Sequence, residues 1–356
     1  MNTQQAQHLL AVIYDSVTNS VFESQVFVPL VRMLDRGEIT HVTLVTFEAD
    51  VTIKHRLGAL HHPAITIIVL KRYPLVGTWS LRLASWQLII SLDLASIDAI
   101  RARGSLAGLI AKHVISLWKQ WYRSQTIPLT IQARGLCAEE YRFTSEQKVL
   151  SRAQKIVIAW RIKLYDIIER KSYRAATGVT IEVVSNTLGK HLQKQYITPA
   201  TMITLAQHDL VEIVPPDLIA RQRADIRALL TIPTDAYVFC YSGSCKPWQC
   251  AEETVLFFAS EARKNAKAFF LILSQDIIAF QQLLNKYQIQ PERIRLLTVK
   301  PAQLLTYLCA ADAGMLLRKA DVVNWVSRPT KLLEYQAVRL KIIHNNTVGQ
   351  LANKKI

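Results

Sequence analysis

AYVFCYS at positions 236–242 is followed by GSCKPWQ at 243–249, a helical pattern over 252–265 and FFLILS at 269–274. The two flanking runs are short, nearly continuous and rich in aromatic and β-branched residues, as parallel strands buried on both faces must be. Outward from this unit, similar runs stand at 294–299, 314–317 and 341–344 downstream. Upstream they stand at 8–15, 42–49, 64–70, 129–133 and 179–185. Helical patterns such as 21–35 and 303–311 separate them. Strand–helix alternation of this kind predicts an α/β fold with parallel sheets. It breaks at 214–234, where Pro215-Pro216 precedes a charged helical stretch (218–230) and Ile232-Pro233-Thr234 follows. Prolines so placed suit a connection rather than a strand. The expected organisation is therefore an N-terminal Rossmann-like domain over 1–214, a linker over 215–234 and a C-terminal Rossmann-like domain over 235–356. The two domains are expected to face each other across a cleft, and ligands of such sheets bind beyond the carboxyl ends of the strands.

The chain has 356 residues, half of them hydrophobic, with only 11 Gly and 12 Pro, which excludes disordered and collagen-like classes. That length supports two cores. No run approaches the roughly 18 apolar residues of a membrane span. Residues 1–7 lack the basic-then-apolar order of a secretory signal. Five cysteines, an odd and small number, predict free thiols in a reducing cytosol rather than a disulfide framework. Lys and Arg number 43 against 27 Asp and Glu, a net charge of +16. That excess calls for an anionic partner: a phosphate-bearing ligand, an anionic membrane surface or a nucleic acid. No run of five or six like charges forms a basic tail.

The strand-end loops carry the chemistry. After 236–242, Gly243 permits a tight turn and close approach to an anion, Ser244 offers a hydroxyl, and Lys246 a charge. One glycine is a weak signal, and a purely structural turn reads the same residues better than a phosphate loop does. In Ser327-Arg328-Pro329-Thr330-Lys331-Leu332-Leu333-Glu334-Tyr335, Ser327 and Thr330 are N-cap candidates and Pro329 suits a first turn, so the run predicts a helix start. Its free amides and partial positive charge make a diphosphate site, to which Arg328 and Lys331 add charge. Glu334 falls one turn on, placed to accept ribose hydroxyls or to pair with Lys331 or Arg328. In the first domain, Asn19 or Ser20 caps the helix that carries Glu23. The segments 101–104 (RARG) and 132–135 (QARG) place Arg103 and Arg134 at strand ends, either steering an anion or forming structural ion pairs. Helices 107–123 and 155–174 mix Trp, aliphatic and basic residues, a pattern of membrane-surface helices and of core helices with a solvated rim. The histidines show no metal-ligand spacing.

These residues carry a resemblance. Ser327 to Tyr335 resembles the S-x-P-x-K-x-x-E-Y nucleotide-binding motif of the family 4 glycosyltransferases with the GT-B fold. Ala310-Ala311-Asp312-Ala313-Gly314 resembles the preceding A-A-D-x-G element, and Tyr241-Ser242-Gly243-Ser244 the loop that opens the donor domain. Gln132-Ala133-Arg134-Gly135 with Glu139-Glu140, and Val184-Ser185-Asn186, are similar to first-domain elements. The resemblance touches most of the chain and is most specific over 310–335. It implies sugar transfer from a nucleotide-diphosphate sugar to a glycan or lipid-linked acceptor, with retention of anomeric configuration. Gly243, Ser244, Lys246, Arg318, Thr330 and Lys331 would lie at the diphosphate and Glu334 at the ribose. Asn19, Ser20, Glu23, Arg103 and Arg134 would lie on the acceptor side. It implies no metal cofactor, because the helix dipole and basic residues neutralise the leaving group, and no DxD-like pair is present. It also implies a cytoplasmic protein, peripheral on the inner membrane face, with no nucleic-acid partner. Departures are Val326 where many members carry a first glutamate, Arg101 where a histidine is expected, and Arg339 and Lys341 where Gly and Pro are usual. Family chains continue past 349 for further helices, so the resemblance implies a C-terminally short or divergent member. Two other readings stay open: a nucleotide-sugar epimerase, for which Glu23 is the candidate acid–base group, and a non-catalytic basic binding protein.

Overall fold

The computed structural model describes residues 8–14, 16–17, 22–52, 60–74, 77–122, 127–206 and 211–352. It divides into two compact units, Met1–Asp209 and Leu210–Ile356. Asn19 and Ser20 lie outside the described residues.

In the first unit, β1 (His8–Ile13), β2 (His41–Glu48), β3 (Ile65–Lys71), β4 (Ala99–Arg103), β5 (Leu129–Ala133), β6 (Val179–Val183) and β7 (Ile203–Leu205) form one parallel sheet in the order β3-β2-β1-β4-β5-β6-β7. Its helices are α1 (Val28–Asp35), α2 (Trp79–Ser91), α3 (Gly104–Tyr122), α4 (Cys137–Ser145), α5 (Arg152–Tyr173) and α6 (Asn186–Tyr196). A π-helical turn, Glu23–Phe27, leads into α1. Local signals fix the helix starts. Ser151 and Gln154 form a reciprocal capping box at α5, and the Ser185 hydroxyl accepts from Leu188 N–H at 3.0 Å to open α6. Leu9, Ala11 and Ile13 of β1 pack on Phe22, Val26, Leu30 and Met33, which places the π turn over the switch point between β1 and β4.

In the second unit, β8 (Tyr237–Ser242), β9 (Ala268–Leu273), β10 (Ile294–Leu297), β11 (Ala313–Leu316) and β12 (Lys341–His344) are parallel in the order β10-β9-β8-β11-β12. The helices are α7 (Pro216–Leu229), α8 (Ala251–Lys264), α9 (Ile277–Lys286), α10 (Leu304–Leu308), α11 (Val322–Val326) and α12 (Thr330–Ala337). Alternate residues of β8 and β9 feed two cores. Val238, Cys240, Phe269 and Leu271 pack with Leu308, Leu332 and Tyr335; Phe239, Tyr241, Phe270 and Ile272 pack with Val255, Phe258 and Phe280. That double burial is why the strands read as continuous apolar runs.

The stretch 215–234, expected as a linker, is instead part of the second unit. Its helix α7 buries Ile226 in the core and is held by two arginines. Arg223 and Arg227 donate to the two Asp312 carboxylate oxygens at 2.6 and 2.8 Å, and Asp312 also accepts Val238 N–H at 2.7 Å. Asp217, Arg221 and Asp225 face solvent, while Arg223 and Arg227 turn inward to this clasp.

Candidate functional site

The switch point of the second sheet lies between β8 and β11. β8 ends in Ser242, and Gly243 follows with φ +136°, a conformation that favours glycine. A methyl group built on Gly243 would stand 3.1 Å from the Lys331 ammonium nitrogen, so the missing side chain is what lets that lysine lie against the loop. Lys331 is buried, with Nζ 4.0 Å from the centroid of the Tyr241 ring. The Tyr241 hydroxyl donates to the Ser244 carbonyl at 2.7 Å and Cys245 N–H donates to the Asp276 carboxylate at 2.7 Å, which shapes the rest of the loop.

After β11, Arg318 is buried and laced to Asn345. Its amide donates to Asn345 Oδ1 at 3.2 Å, and Asn345 Nδ2 donates to its carbonyl at 2.7 Å. The Arg318 Nε is buried with no hydrogen-bond partner among the described residues. Burial and the nearby Arg318 charge hold the Lys331 ammonium well below the usual lysine range, and burial lowers Arg318 as well. Two desolvated basic side chains thus lie side by side near the Glu334 carboxylate, one of them with a buried donor that has no partner among the described residues.

The helix start is real but shifted from its expected cap. Helix α12 begins at Thr330 with Pro329 at the N-cap, and the Ser327 hydroxyl donates back to the Asn324 carbonyl at 2.9 Å instead, closing α11. Glu334 sits one turn into α12, half-buried, its carboxyl pushed up to about 6 by burial against the opposing pull of Lys331. The next residue fastens the helix to the sheet. The Tyr335 hydroxyl accepts from Ser242 N–H at 3.0 Å and donates to the Met315 carbonyl at 3.4 Å. Its ring lies where any side chain at Gly314 would fall. The structure thus brings Gly243, Arg318, Lys331 and Glu334 to one sheet end, with exposed Thr330 opening the helix. Lys246 is exposed, its ammonium 5.4 Å from the Trp248 ring centroid.

In the first unit, Arg103 lies in β4 itself. It donates to the Gln25 carbonyl at 3.1 Å and to Gln25 Oε1 at 2.7 Å, pinning the π turn that starts at exposed Glu23. Arg103, Gln132 and Glu182 are register partners across β4, β5 and β6. Gln132 donates to Glu182 at 2.7 Å, and Arg101 lies 3.7 Å from the same carboxylate. Between this polar ladder and Ala11, Ile13, Pro29 and Leu30 is a cavity of ≈ 20 Å³, room for about one water. Arg134 follows β5, and Gly135 makes space for the Glu140 carboxylate. The sequence reading missed Gln25, Gln132 and Glu182. Polar residues inside the apolar runs of β5 and β6 were the available signal. Among the described residues no His, Cys, Asp and Glu cluster has a metal-ligand arrangement, and all five cysteines are free thiols.

No protein-family profile and no curated protein matches the chain. Solved structures do. A glycosyltransferase from Rickettsia africae matches with TM-score 0.63 at 13% identity, covering 98% of this chain and 82% of that one. WaaG, a glycosyltransferase involved in lipopolysaccharide biosynthesis, matches with TM-score 0.61 at 14% identity over 96% and 82% of the two chains. Anabaena HepE, solved in complex with UDP and glucose, matches with TM-score 0.59 at 12% identity over 98% and 83%. The fold is GT-B.

Proposed function

We propose that this chain is a glycosyltransferase that moves a sugar from a nucleotide-diphosphate sugar to a glycan or lipid-linked acceptor. The observation that carries the reading is the pair Arg318 and Lys331: two buried basic side chains at the switch point, with a buried Arg318 Nε that has no partner among the described residues. A diphosphate offers this pair the negative charge and acceptor oxygens that it is placed to bind. The likeness to HepE, whose structure holds UDP and glucose, supports the same ligand class. In this reading Gly243 lets the diphosphate approach the backbone, α12 aims its first amides at it, and Glu334 accepts the ribose hydroxyls. Bond cleavage leaves charge on the nucleotide diphosphate, where prearranged cations in a dry site act most strongly. The acceptor side falls to Glu23, Arg103 and Arg134.

A thermal-shift panel of UDP, GDP, ADP and CDP tests this. One of them is expected to raise the melting temperature in a saturable way, and Arg318→Ala with Lys331→Ala to abolish the shift while the apo protein stays folded. If no nucleoside diphosphate moves the melting temperature, the donor site is wrong.

A further inference from the structure

Arg318 is buried, yet nothing at the tip of its side chain holds it. Among the described residues the guanidinium makes no hydrogen bond and no ion pair. The residue also stands outside the sheet, because β11 ends two positions earlier at Leu316. An arginine side chain has many rotamers, and settling it into one costs entropy. Where the guanidinium stands therefore depends on how firmly its main chain is placed.

Asn345 does that placing. β11 and β12 pair in parallel as far as Leu316 and His344. One residue past β12 the Asn345 side chain takes over: Oδ1 accepts Arg318 N–H at 3.2 Å and Nδ2 donates to the Arg318 carbonyl at 2.7 Å. A side-chain amide holds a donor and an acceptor at a fixed separation, so it can serve both main-chain groups of one residue. It extends the ladder to a residue that the strands do not reach. Asn345 is steadied in turn. The Thr347 hydroxyl donates to the same Oδ1 at 2.8 Å, and Asn346 turns the chain at φ 58°. Gly349 N–H then donates to the Trp325 carbonyl at 3.0 Å, and Val348 and Leu351 are buried in the core that holds Leu332. The segment 345–351 thus grips the connection from β11 to α12 at two points, Arg318 and Trp325.

We infer that Asn345 is a positioning residue of the proposed donor site: its amide fixes the main chain of Arg318, so that the guanidinium is already in place when the diphosphate arrives. This role rests on the proposed function and adds to it a residue that acts through Arg318 without touching the ligand. A guanidinium ordered beforehand spares the ligand that cost on binding. Asn345 is itself exposed, so its two bonds compete with water and contribute little to the fold. An asparagine that only closed the turn after β12 would leave ligand affinity alone.

A double-mutant cycle on the full chain tests it, read by calorimetric titration with UDP, GDP, ADP and CDP. For whichever nucleotide binds the unaltered chain, Asn345→Ala is expected to weaken affinity about tenfold. Its melting temperature is expected to fall by less than about 3 °C. In an Arg318→Lys background the same substitution is expected to cost less than about twofold, because lysine is a point charge on a flexible stem and depends little on where its main chain is held. The Arg318 Nε–H resonance, assigned by its loss in Arg318→Lys, is expected to move when nucleotide is added and to broaden in Asn345→Ala. Thr347→Val, isosteric but without the hydroxyl that steadies the amide, is a milder second variant, expected to bind about threefold more weakly only where Arg318 is present. Equal losses in both backgrounds overturn the inference, because Asn345 then acts on the ligand itself or on the loop at large. Undiminished binding by both variants, or a resonance as sharp in Asn345→Ala as in the unaltered chain, overturns it too. If none of the four nucleotides binds the unaltered chain, the donor reading fails and this role with it, whereas binding with an additive cycle removes this role alone.

Discussion

Lys331 is the residue on which the proposed donor site turns, and it is costly to keep. Its ammonium is buried beside Arg318, with an aromatic face for company. Replacing it with Met, similar in length and content in an apolar setting, removes that cost. We expect Lys331→Met to raise apo stability by about 1–2 kcal/mol in chemical denaturation while nucleoside diphosphate binding falls at least 100-fold in calorimetry. A variant that lost both stability and binding would mark Lys331 as a structural residue. Gly243→Ala acts in the opposite sense on the fold. It forces a side chain into positive φ and toward the lysine nitrogen, and denaturant titration should read a loss of about 1–3 kcal/mol.

At the scale of elements, helix α4 is held by a carboxylate from α5. Glu169 is buried, accepts Cys137 N–H at 2.6 Å and the Tyr196 hydroxyl at 2.9 Å, and burial pushes its carboxyl up to about 7. Between pH 4.5 and 7 the folded protein therefore holds a proton that the unfolded chain has released, so stability falls as pH rises through that window. Glu169→Gln is expected to flatten this slope, which is worth about 3 kcal/mol at its limit, when denaturation is followed from pH 4.5 to 8. An unchanged slope would remove Glu169 as its source. The same scale shows what the sequence disclosed. Ten strands were legible because burial on both faces leaves an apolar run. The two that escaped break that rule for physical reasons: β4 reads AIRAR because Arg101 and Arg103 serve a polar ladder inside the sheet, and β7 is a three-residue edge with exposed Thr204 and Leu205. The start of α12 was visible in Pro329, but its cap was not, because Ser327 bonds backward to α11.

For the molecule as a whole, a charge of +16 separates two kinds of anion binding. Raising salt from about 0.05 to 0.5 M should release the chain from anionic surfaces yet change nucleoside diphosphate affinity by less than about threefold, since buried charges are screened far less than exposed ones. Surface plasmon resonance and calorimetry at matched salts read the two, and a steep salt dependence of both would place the diphosphate in open solvent. Net charge was legible in composition, whereas the burial of Arg318 and Lys331 needed the packing of α12 on β8 and β11. The clasp between Asp312 and the α7 arginines bears on how the protein can be divided. A fragment begun at 235 would strip Ile226 and Ile232 from the core and leave the Asp312 carboxylate without its two arginines, and it should aggregate. One begun at 211 keeps α7 and the Val214 N–H bond to the Ala337 carbonyl, and is the shortest C-terminal piece expected to be expressed in soluble form.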